Sequence, residues 1–274
     1  MDDRRNPNVD APRRQRLREI PLRMLVPNLI TVLAICAGLS GVRLAIEGRF
    51  EIAVAMVLLA AMLDAIDGRL ARMLKATSNF GAQMDSLADI VNFGVVPALV
   101  LYVYGLDQAG TFGWIAALIF TIACGLRLAR FNIMIDDPDR PAWTNDYFVG
   151  VPAPAGAILV LLPVYLGFLG VPIGQSYGVA ASLYTVAIAL LMVSQLPVYS
   201  GKTGLKVRRD LVVPVMLAIV CYVALLFSYT WHTMALSALA YLAALPFGIR
   251  AHGRRAAREK ERAVAVSAAA DVSG

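Results

Sequence analysis

Residues 64–89 read DAIDGRLARMLKATSNFGAQMDSLAD, and this stretch decides the fold because it sets four carboxylates in segments that are otherwise apolar. The four residues are Asp64, Asp67, Asp85 and Asp89. A charged side chain near the middle of a bilayer costs from about 3 to more than 10 kcal/mol, so these aspartates need a compensating partner. On a helix the first two lie about 60° apart around the axis, and the last two about 40° apart. Each pair therefore presents its carboxylates on one face.

A polar segment separates the two carboxylate pairs. Thr77, Ser78 and Asn79 precede Gly81 there, a pattern suited to ending one helix and capping the next. We therefore predict two helices joined as a hairpin, with the two pairs of carboxylates facing each other.

The composition indicates an integral membrane protein. The chain has 274 residues, of which 59% are hydrophobic and 16% charged. Its mean hydropathy is +0.67, well beyond the balance of a soluble domain. Hydropathy divides it into about eight stretches of about 17 to 25 residues, each long enough to cross a bilayer as a helix. Their limits lie near 25–46, 50–73, 83–104, 112–131, 152–170, 178–198, 211–229 and 233–250. The predicted fold is all-α, a polytopic bundle of about eight transmembrane helices.

The charge distribution predicts the orientation. The net charge is +6, and the basic residues concentrate at the two ends and in alternate loops, without interleaved aromatic residues. This pattern is typical of contact with anionic lipid headgroups and argues against nucleic acid as a partner. The positive-inside rule places both termini and the turn of the hairpin in the cytoplasm. We expect a basic cytoplasmic tail at 1–22, a membrane-embedded domain at 23–250, and a basic, partly disordered cytoplasmic tail at 251–274.

The residues among the carboxylates favour phosphate chemistry at a metal centre. Hard divalent cations prefer oxygen ligands, and shared carboxylates can hold two such ions about 4 Å apart around a transferring phosphoryl group. Gly68 would let a ligand approach the helix backbone, Arg72 can form paired hydrogen bonds to phosphate, and Ser78 could donate another. A divalent-cation transporter, which also uses buried acids, is the alternative from a different class.

The same stretch resembles a known family. Its fixed positions match the signature of the CDP-alcohol phosphotransferase family, D-x2-D-G-x2-A-R-x8-G-x3-D-x3-D. The matching residues are Asp64, Asp67, Gly68, Ala71, Arg72, Gly81, Asp85 and Asp89. The resemblance implies an α-helical membrane enzyme, commonly a homodimer, in which an alcohol displaces CMP from a CDP-linked lipid.

The resemblance also implies a role for individual residues. Asp64 and Asp85 would bridge two divalent cations, Mg²⁺ or Mn²⁺, while Asp67 would complete the first metal site. Asp89 would bind the second cation and act as the base. The CDP-linked lipid would meet residues of the hairpin and of the PNLIT sequence in the first apolar stretch: Asn28, Thr31, Gly68, Ala71, Arg72 and Ser78.

The acceptor alcohol depends on sequences outside the signature. Segments 89–102, 124–132 and 148–157 resemble the phosphatidylserine-forming branch of the family, which implies CDP-diacylglycerol and L-serine as substrates. Serine requires a fixed cation and hydrogen-bond partners, for which the candidates are Asn92, Arg127, Arg130 and Asn132. Contact with lipid headgroups explains the two arginines equally well, and helix packing explains Asn92. Inositol phosphate or glycerol phosphate is the alternative acceptor, and its phosphate would demand additional basic residues.

Overall fold

The computed structural model describes residues 22–74, 78–135, 147–172, 174–194, 196–199, 211–246 and 248. The expected tail at 251–274 lies outside the described residues, as does the expected tail at 1–22 except for its last residue. The carboxylate stretch is described except for residues 75–77 in its turn.

Helices account for most of the described residues, which confirms the all-α prediction. In chain order they are α1 (Leu22–Ile46), α2 (Phe50–Met73), α3 (Asn79–Asp89), α4 (Val96–Tyr104), α5 (Thr111–Ile135), α6 (Ala153–Val160), α7 (Leu162–Phe168), α8 (Gln175–Val193), α9 (Val212–Ser228) and α10 (230–246). A π-helix (Ile90–Val95) joins α3 to α4, and a 3₁₀-helix (Leu106–Ala109) precedes α5. Two short strands, β1 (Tyr147–Val149) and β2 (Pro197–Tyr199), pair in an antiparallel arrangement.

The helices coincide with the predicted apolar stretches to within a few residues. Two of these stretches each contain more than one helix: α3 continues through the π-helix into α4, and α6 continues into α7. Among the described residues, four helical stretches are long and apolar enough to cross a membrane: Leu25–Ile46, Asn79–Tyr104, Thr111–Met134 and Ser176–Val193. α2 spans 24 residues but carries the first pair of aspartates, and Ala153–Phe168 and Val212–Ser228 are shorter. The count of eight spans therefore stays a prediction.

The first helix packs along the second after a short turn. Gly41 permits this close approach, since a Cβ there would lie 3.0 Å from the carbonyl oxygen of Ala53. α1 also contacts α3 and α4, and α5 packs against α8. Large buried side chains such as Phe93, Phe120 and Tyr165 fill the core of the bundle. This packing holds α1 against both carboxylate-bearing helices.

Ser78 is the N-cap of α3, as the capping pattern predicts. Its hydroxyl oxygen accepts a hydrogen bond from the Gly81 amide at 3.0 Å. α3 ends at Asp89, where the backbone changes to the i→i+5 hydrogen bonds of a π-helix. Gly94 in the π-helix lies against α5, where an added Cβ would come within 3.1 Å of the Cβ of Cys124. The change of helical phase therefore occurs directly after the second carboxylate pair.

Candidate active site and metal centre

The hairpin brings the carboxylates together, as predicted. One carboxylate oxygen from each of Asp64, Asp67 and Asp85 lies within 4.8 Å of the other two. The first two residues belong to the second half of α2 and the third to the middle of α3, so the turn between the helices creates the cluster. Asp89 follows one turn after Asp85 and is the last residue of α3.

The surroundings of these carboxylates suit a divalent cation. Asp67 is only 2% exposed. Within the described residues, one oxygen of Asp64 and one of Asp67 are buried without a hydrogen-bond partner. Neighbouring carboxylates repel each other in a buried place unless a positive charge or a proton lies between them. Clustered carboxylate oxygens are the ligands that Mg²⁺ and Mn²⁺ prefer. The donor set therefore fits a divalent metal centre, with Asp64, Asp67 and Asp85 at its core.

Thr31 ties the first helix to this cluster. Its hydroxyl oxygen lies 2.5 Å from Oδ2 of Asp67 and 3.1 Å from the carbonyl oxygen of Pro27. A hydroxyl has one hydrogen to donate, and the shorter contact to a charged acceptor is the stronger one. Thr31 therefore holds Asp67 by one oxygen and leaves Oδ1 to a ligand.

A cleft of about 170 Å³ opens between α1 and the hairpin. Its walls contain all the residues that the family resemblance assigns to the CDP-linked lipid: Asn28, Thr31, Gly68, Ala71, Arg72 and Ser78. A Cβ added at Gly68 would meet nothing closer than Arg72, at 3.8 Å, so this glycine borders open space. A Cβ at Gly81 would lie 3.1 Å from both Asn28 and Ser78. Gly68 thus leaves room for a ligand, while Gly81 lets α1 close against the hairpin.

Asn92 lies in the π-helix, about one turn beyond Asp89. It is 1% exposed, and neither polar atom of its amide has a partner among the described residues. Gly38 of α1 makes room for it, since a Cβ there would lie 2.7 Å from Oδ1 of Asn92. The Asn92 amide therefore lies one turn beyond Asp89 with its hydrogen-bonding groups unused by the described residues.

Arg127 is a buried candidate on α5. It is 8% exposed, and α5 packs against the π-helix that follows Asp89. Its guanidinium carbon lies 5.9 Å from the centre of the Phe131 ring. In the part of the chain that the structure describes, its Nε is buried without a partner. A cation with spare hydrogen-bonding capacity therefore lies near Asp89.

The other two candidates on α5 are bonded to neighbouring helices. Arg130 donates to the carbonyl oxygen of Val193 at the end of α8, at 2.9 Å. Asn132 donates to the hydroxyl of Ser86 in α3, at 3.1 Å. Both bonds hold α5 in place beside the site. Sequence reasoning missed Ser86, although its position within the signature was an available signal.

Sequence reasoning also missed Tyr241 of α10. Its hydroxyl is buried without a partner among the described residues. The available signal was a phenol inside an apolar stretch, which alone does not distinguish a site residue from a packing residue.

Comparisons with known proteins agree with this geometry. The model of the CDP-alcohol phosphatidyltransferase family matches residues 24–194, and the model named CDP-alcohol phosphatidyltransferase 2 matches residues 210–246. The CDP-diacylglycerol–serine O-phosphatidyltransferase of Mycobacterium leprae is 39% identical over 248 residues, which cover 88% of this chain and 79% of that relative. The enzyme of the same name from Mycobacterium tuberculosis is 38% identical, over 82% and 78% of the two chains. The archaetidylserine synthase of Methanothermobacter thermautotrophicus is 30% identical, over 62% and 68%. The first family match covers the hairpin and the helices from α1 to α8.

Proposed function

This chain belongs to the CDP-alcohol phosphatidyltransferase family, and we propose that it transfers the phosphatidyl group of CDP-diacylglycerol to the hydroxyl group of L-serine. The products are phosphatidylserine and CMP. The observation that carries the proposal is the similarity, over 88% of the chain, to a relative named for this reaction. The described site supports it, because the carboxylate cluster suits divalent cations, the adjoining cleft suits the donor lipid, and the cation on α5 suits the acceptor.

The donor substrate would bind in the cleft between α1 and the hairpin. Its diphosphate is anionic, and Arg72 lines the cleft as a cationic hydrogen-bond donor. Ser78 accepts a bond from Gly81, which leaves its own hydroxyl hydrogen free for a phosphate oxygen. Gly68 gives the phosphates room against α2. The first helix would close the nucleotide side of the cleft.

We further propose that Asp64, Asp67, Asp85 and Asp89 hold two divalent cations, Mg²⁺ or Mn²⁺. When bound, such cations neutralise the charge on the phosphates and on the leaving group. Asp67 and Asp85 belong both to the carboxylate cluster and to the lining of the cleft, so the diphosphate would lie directly beside the cluster. Thr31 holds Asp67 in this arrangement.

Asp89 is the proposed base. As the serine oxygen bonds to phosphorus and the bond from phosphorus to the CMP oxygen breaks, the proton of the serine hydroxyl passes to Asp89. The residues that orient the hydroxyl and neutralise the phosphate would contribute more to the rate than this proton transfer.

The serine pocket would lie beyond Asp89, at Asn92 and Arg127. Within the described residues both have buried polar atoms without partners, which a bound amino acid would supply. Arg127 suits the serine carboxylate, and the amide oxygen of Asn92 can accept from the ammonium group. Arg130 and Asn132 would border this pocket, and their hydrogen bonds to α8 and α3 would fix the position of α5 beside it. An acceptor that carries a phosphate would call for additional cations, whereas Arg127, the buried arginine among the described residues, suits the single carboxylate of serine.

We also propose that the site faces the cytoplasm and that the protein is a homodimer. The site lies where α1 begins and where α2 and α5 end, and arginines cluster at this end of the bundle: Arg69, Arg72, Arg127 and Arg130. The positive-inside rule favours the cytoplasm for such an end. The homodimer follows from the family resemblance, and cross-linking in native membranes tests it.

The decisive experiment supplies purified protein with labelled CDP-diacylglycerol, Mn²⁺ and one acceptor at a time. We expect CMP release that rises with L-serine, appearance of labelled phosphatidylserine, and loss of both on addition of a chelator. Release that rises only with inositol phosphate or glycerol phosphate would overturn the acceptor and keep the reaction class. No release with any acceptor, together with metal uptake into protein-containing vesicles, would favour the transporter instead.

A further inference from the structure

Two contacts fix how α5 lies along the second carboxylate-bearing helix. At one, Gly94 of the π-helix lies against Cys124, where an added Cβ would come within 3.1 Å of the cysteine Cβ. At the other, Asn132 donates to the hydroxyl of Ser86 at 3.1 Å. The two contacts are equally far apart along both segments, which run in opposite directions. The part of α5 between these contacts therefore runs alongside the segment that contains Asp89.

Arg127 lies in that part of α5, about one helical turn after Cys124. It is 8% exposed, and its Nε is buried without a hydrogen-bond partner among the described residues. A long arginine side chain has many rotamers, and restricting it to one of them costs conformational entropy. Paired hydrogen bonds to a carboxylate require one orientation of the planar guanidinium. A carboxylate site at Arg127 therefore needs a neighbour that holds the guanidinium in place.

The ring of Phe131 is such a neighbour. Phe131 follows Arg127 by one turn on α5, and helical side chains tilt toward the N-terminus, so the ring reaches back over the arginine. The guanidinium carbon lies 5.9 Å from the ring centre. A cation within about 6 Å of an aromatic centre is attracted by the face of the ring, more strongly where water is excluded. Phe131 is 36% exposed, so the ring covers the buried guanidinium from the surface of the bundle.

We propose that Phe131 is a positioning residue for the acceptor, whose ring holds Arg127 in the orientation that receives the serine carboxylate. This inference rests on the proposed function and deepens it, because it names what makes the carboxylate site rigid. Phe131 acts through the guanidinium and takes no part in breaking or forming bonds. The ring uses none of the N–H groups that the carboxylate needs, since the attraction comes from its π electrons.

The first test compares Phe131→Leu with Phe131→Tyr in the full-length protein. Leucine keeps an apolar side chain and removes the ring, whereas tyrosine keeps the aromatic face. A cation–π contact of a partly desolvated arginine corresponds to about a 5- to 30-fold change in an equilibrium constant. We therefore expect kcat/KM for serine to fall about 5- to 30-fold in Phe131→Leu, through a higher KM, and to stay within about twofold of wild type in Phe131→Tyr. The KM for CDP-diacylglycerol should stay within about twofold of wild type in both variants.

A second measurement separates the attraction of the cation from packing. Fluorine atoms withdraw electron density from the ring face and change its shape little, so phenylalanine analogues with increasing numbers of fluorine atoms weaken the contact stepwise. The kcat/KM for serine should fall with each fluorine added at Phe131. The same analogues at Phe112 are the control, because Phe112 is similarly exposed, at 39%, but lies at the opposite end of α5. Fluorination at Phe112 should leave kcat/KM unchanged.

The outcomes distinguish this inference from the proposed function. Wild-type protein that releases no CMP with serine refutes the proposed function itself. If wild-type protein uses serine, three results refute only the role of Phe131. These are an unchanged kcat/KM in Phe131→Leu, a loss that Phe131→Tyr shares in full, and an effect of fluorination that is absent at Phe131 or equal at Phe112.

Discussion

Replacing Thr31 by valine should weaken metal binding indirectly, through the loss of its hydrogen bond to Asp67. Valine keeps the shape and the β-branch of threonine and removes only the hydroxyl, which lies 2.5 Å from Oδ2 of Asp67. A hydrogen bond to a charged group contributes about 1.5–3 kcal/mol, which corresponds to about a 10- to 150-fold change in an equilibrium constant. Loss of a partner that orients a metal ligand typically costs about 10- to 100-fold in metal affinity or activity. We therefore expect the Mn²⁺ concentration at half-maximal rate to rise about 10- to 100-fold in Thr31→Val.

The assay measures CMP release against Mn²⁺ concentration with both substrates saturating. Since the hydroxyl acts on a proposed metal ligand, excess Mn²⁺ should restore much of the rate. Thr185→Val is the matched control, because Thr185 is fully buried in α8 and its hydroxyl donates to the Ala181 carbonyl oxygen at 2.8 Å. This control should leave the metal dependence unchanged.

Two results would refute the reasoning about Thr31. An unchanged Mn²⁺ dependence would mean that the bond to Asp67 does not support metal binding. A raised KM for CDP-diacylglycerol at unchanged metal affinity would mean that Thr31 acts on the nucleotide instead, as the family resemblance alone implies.

Further predictions concern the proposed base and the packing of α5. Asp89→Asn should lower kcat by at least about 100-fold, since a general base contributes about 10²–10⁴-fold, and CMP release that continues at the wild-type rate would exclude Asp89 as the base. Gly113→Ala should destabilise the protein by about 1–3 kcal/mol through overpacking, because a Cβ there would come into direct conflict with the backbone carbonyl of Leu106. Gly125→Ala in the same helix is its control, since a Cβ there would meet nothing within 4 Å. The melting temperatures in detergent compare the two variants, and equal values would contradict the packing argument.

Much of the site was predictable because it depends on local chain geometry. The spacing of Asp64 and Asp67 places both on one side of α2. Because the cap at Ser78 starts α3 directly after the turn, the aspartates of α3 lie close to those of α2. The 4.8 Å cluster that includes Asp85 follows from these two features together. Apolar length predicted the helices for the same reason, since each helix satisfies its own backbone within the membrane.

The features that escaped prediction depend on contacts between distant parts of the chain. Arg130 donates to the end of α8, which lies 63 positions away along the chain. Gly94, in the π-helix after Asp89, packs closely against Cys124 of α5. No local sequence pattern predicts this contact or the π-helix. Trp231, Tyr241 and Leu242 pack against the core because α10 folds back onto the bundle. Hydropathy shows that such a helix exists but does not show which face it turns inward.

Side chains at positions 38 and 92 compete for the same space, because Gly38 of α1 lies directly against Asn92. A methyl group at position 38 would lie 2.7 Å from the amide oxygen at position 92, and 3.1 Å from Val96. Each substitution in such a pair changes the cost of the other, so the two residues are energetically coupled. A bulkier residue at position 38 requires a smaller one at position 92. The first helix thus limits the size of the side chain at position 92, next to the proposed acceptor pocket, so a larger residue at position 92 would also require a change in α1.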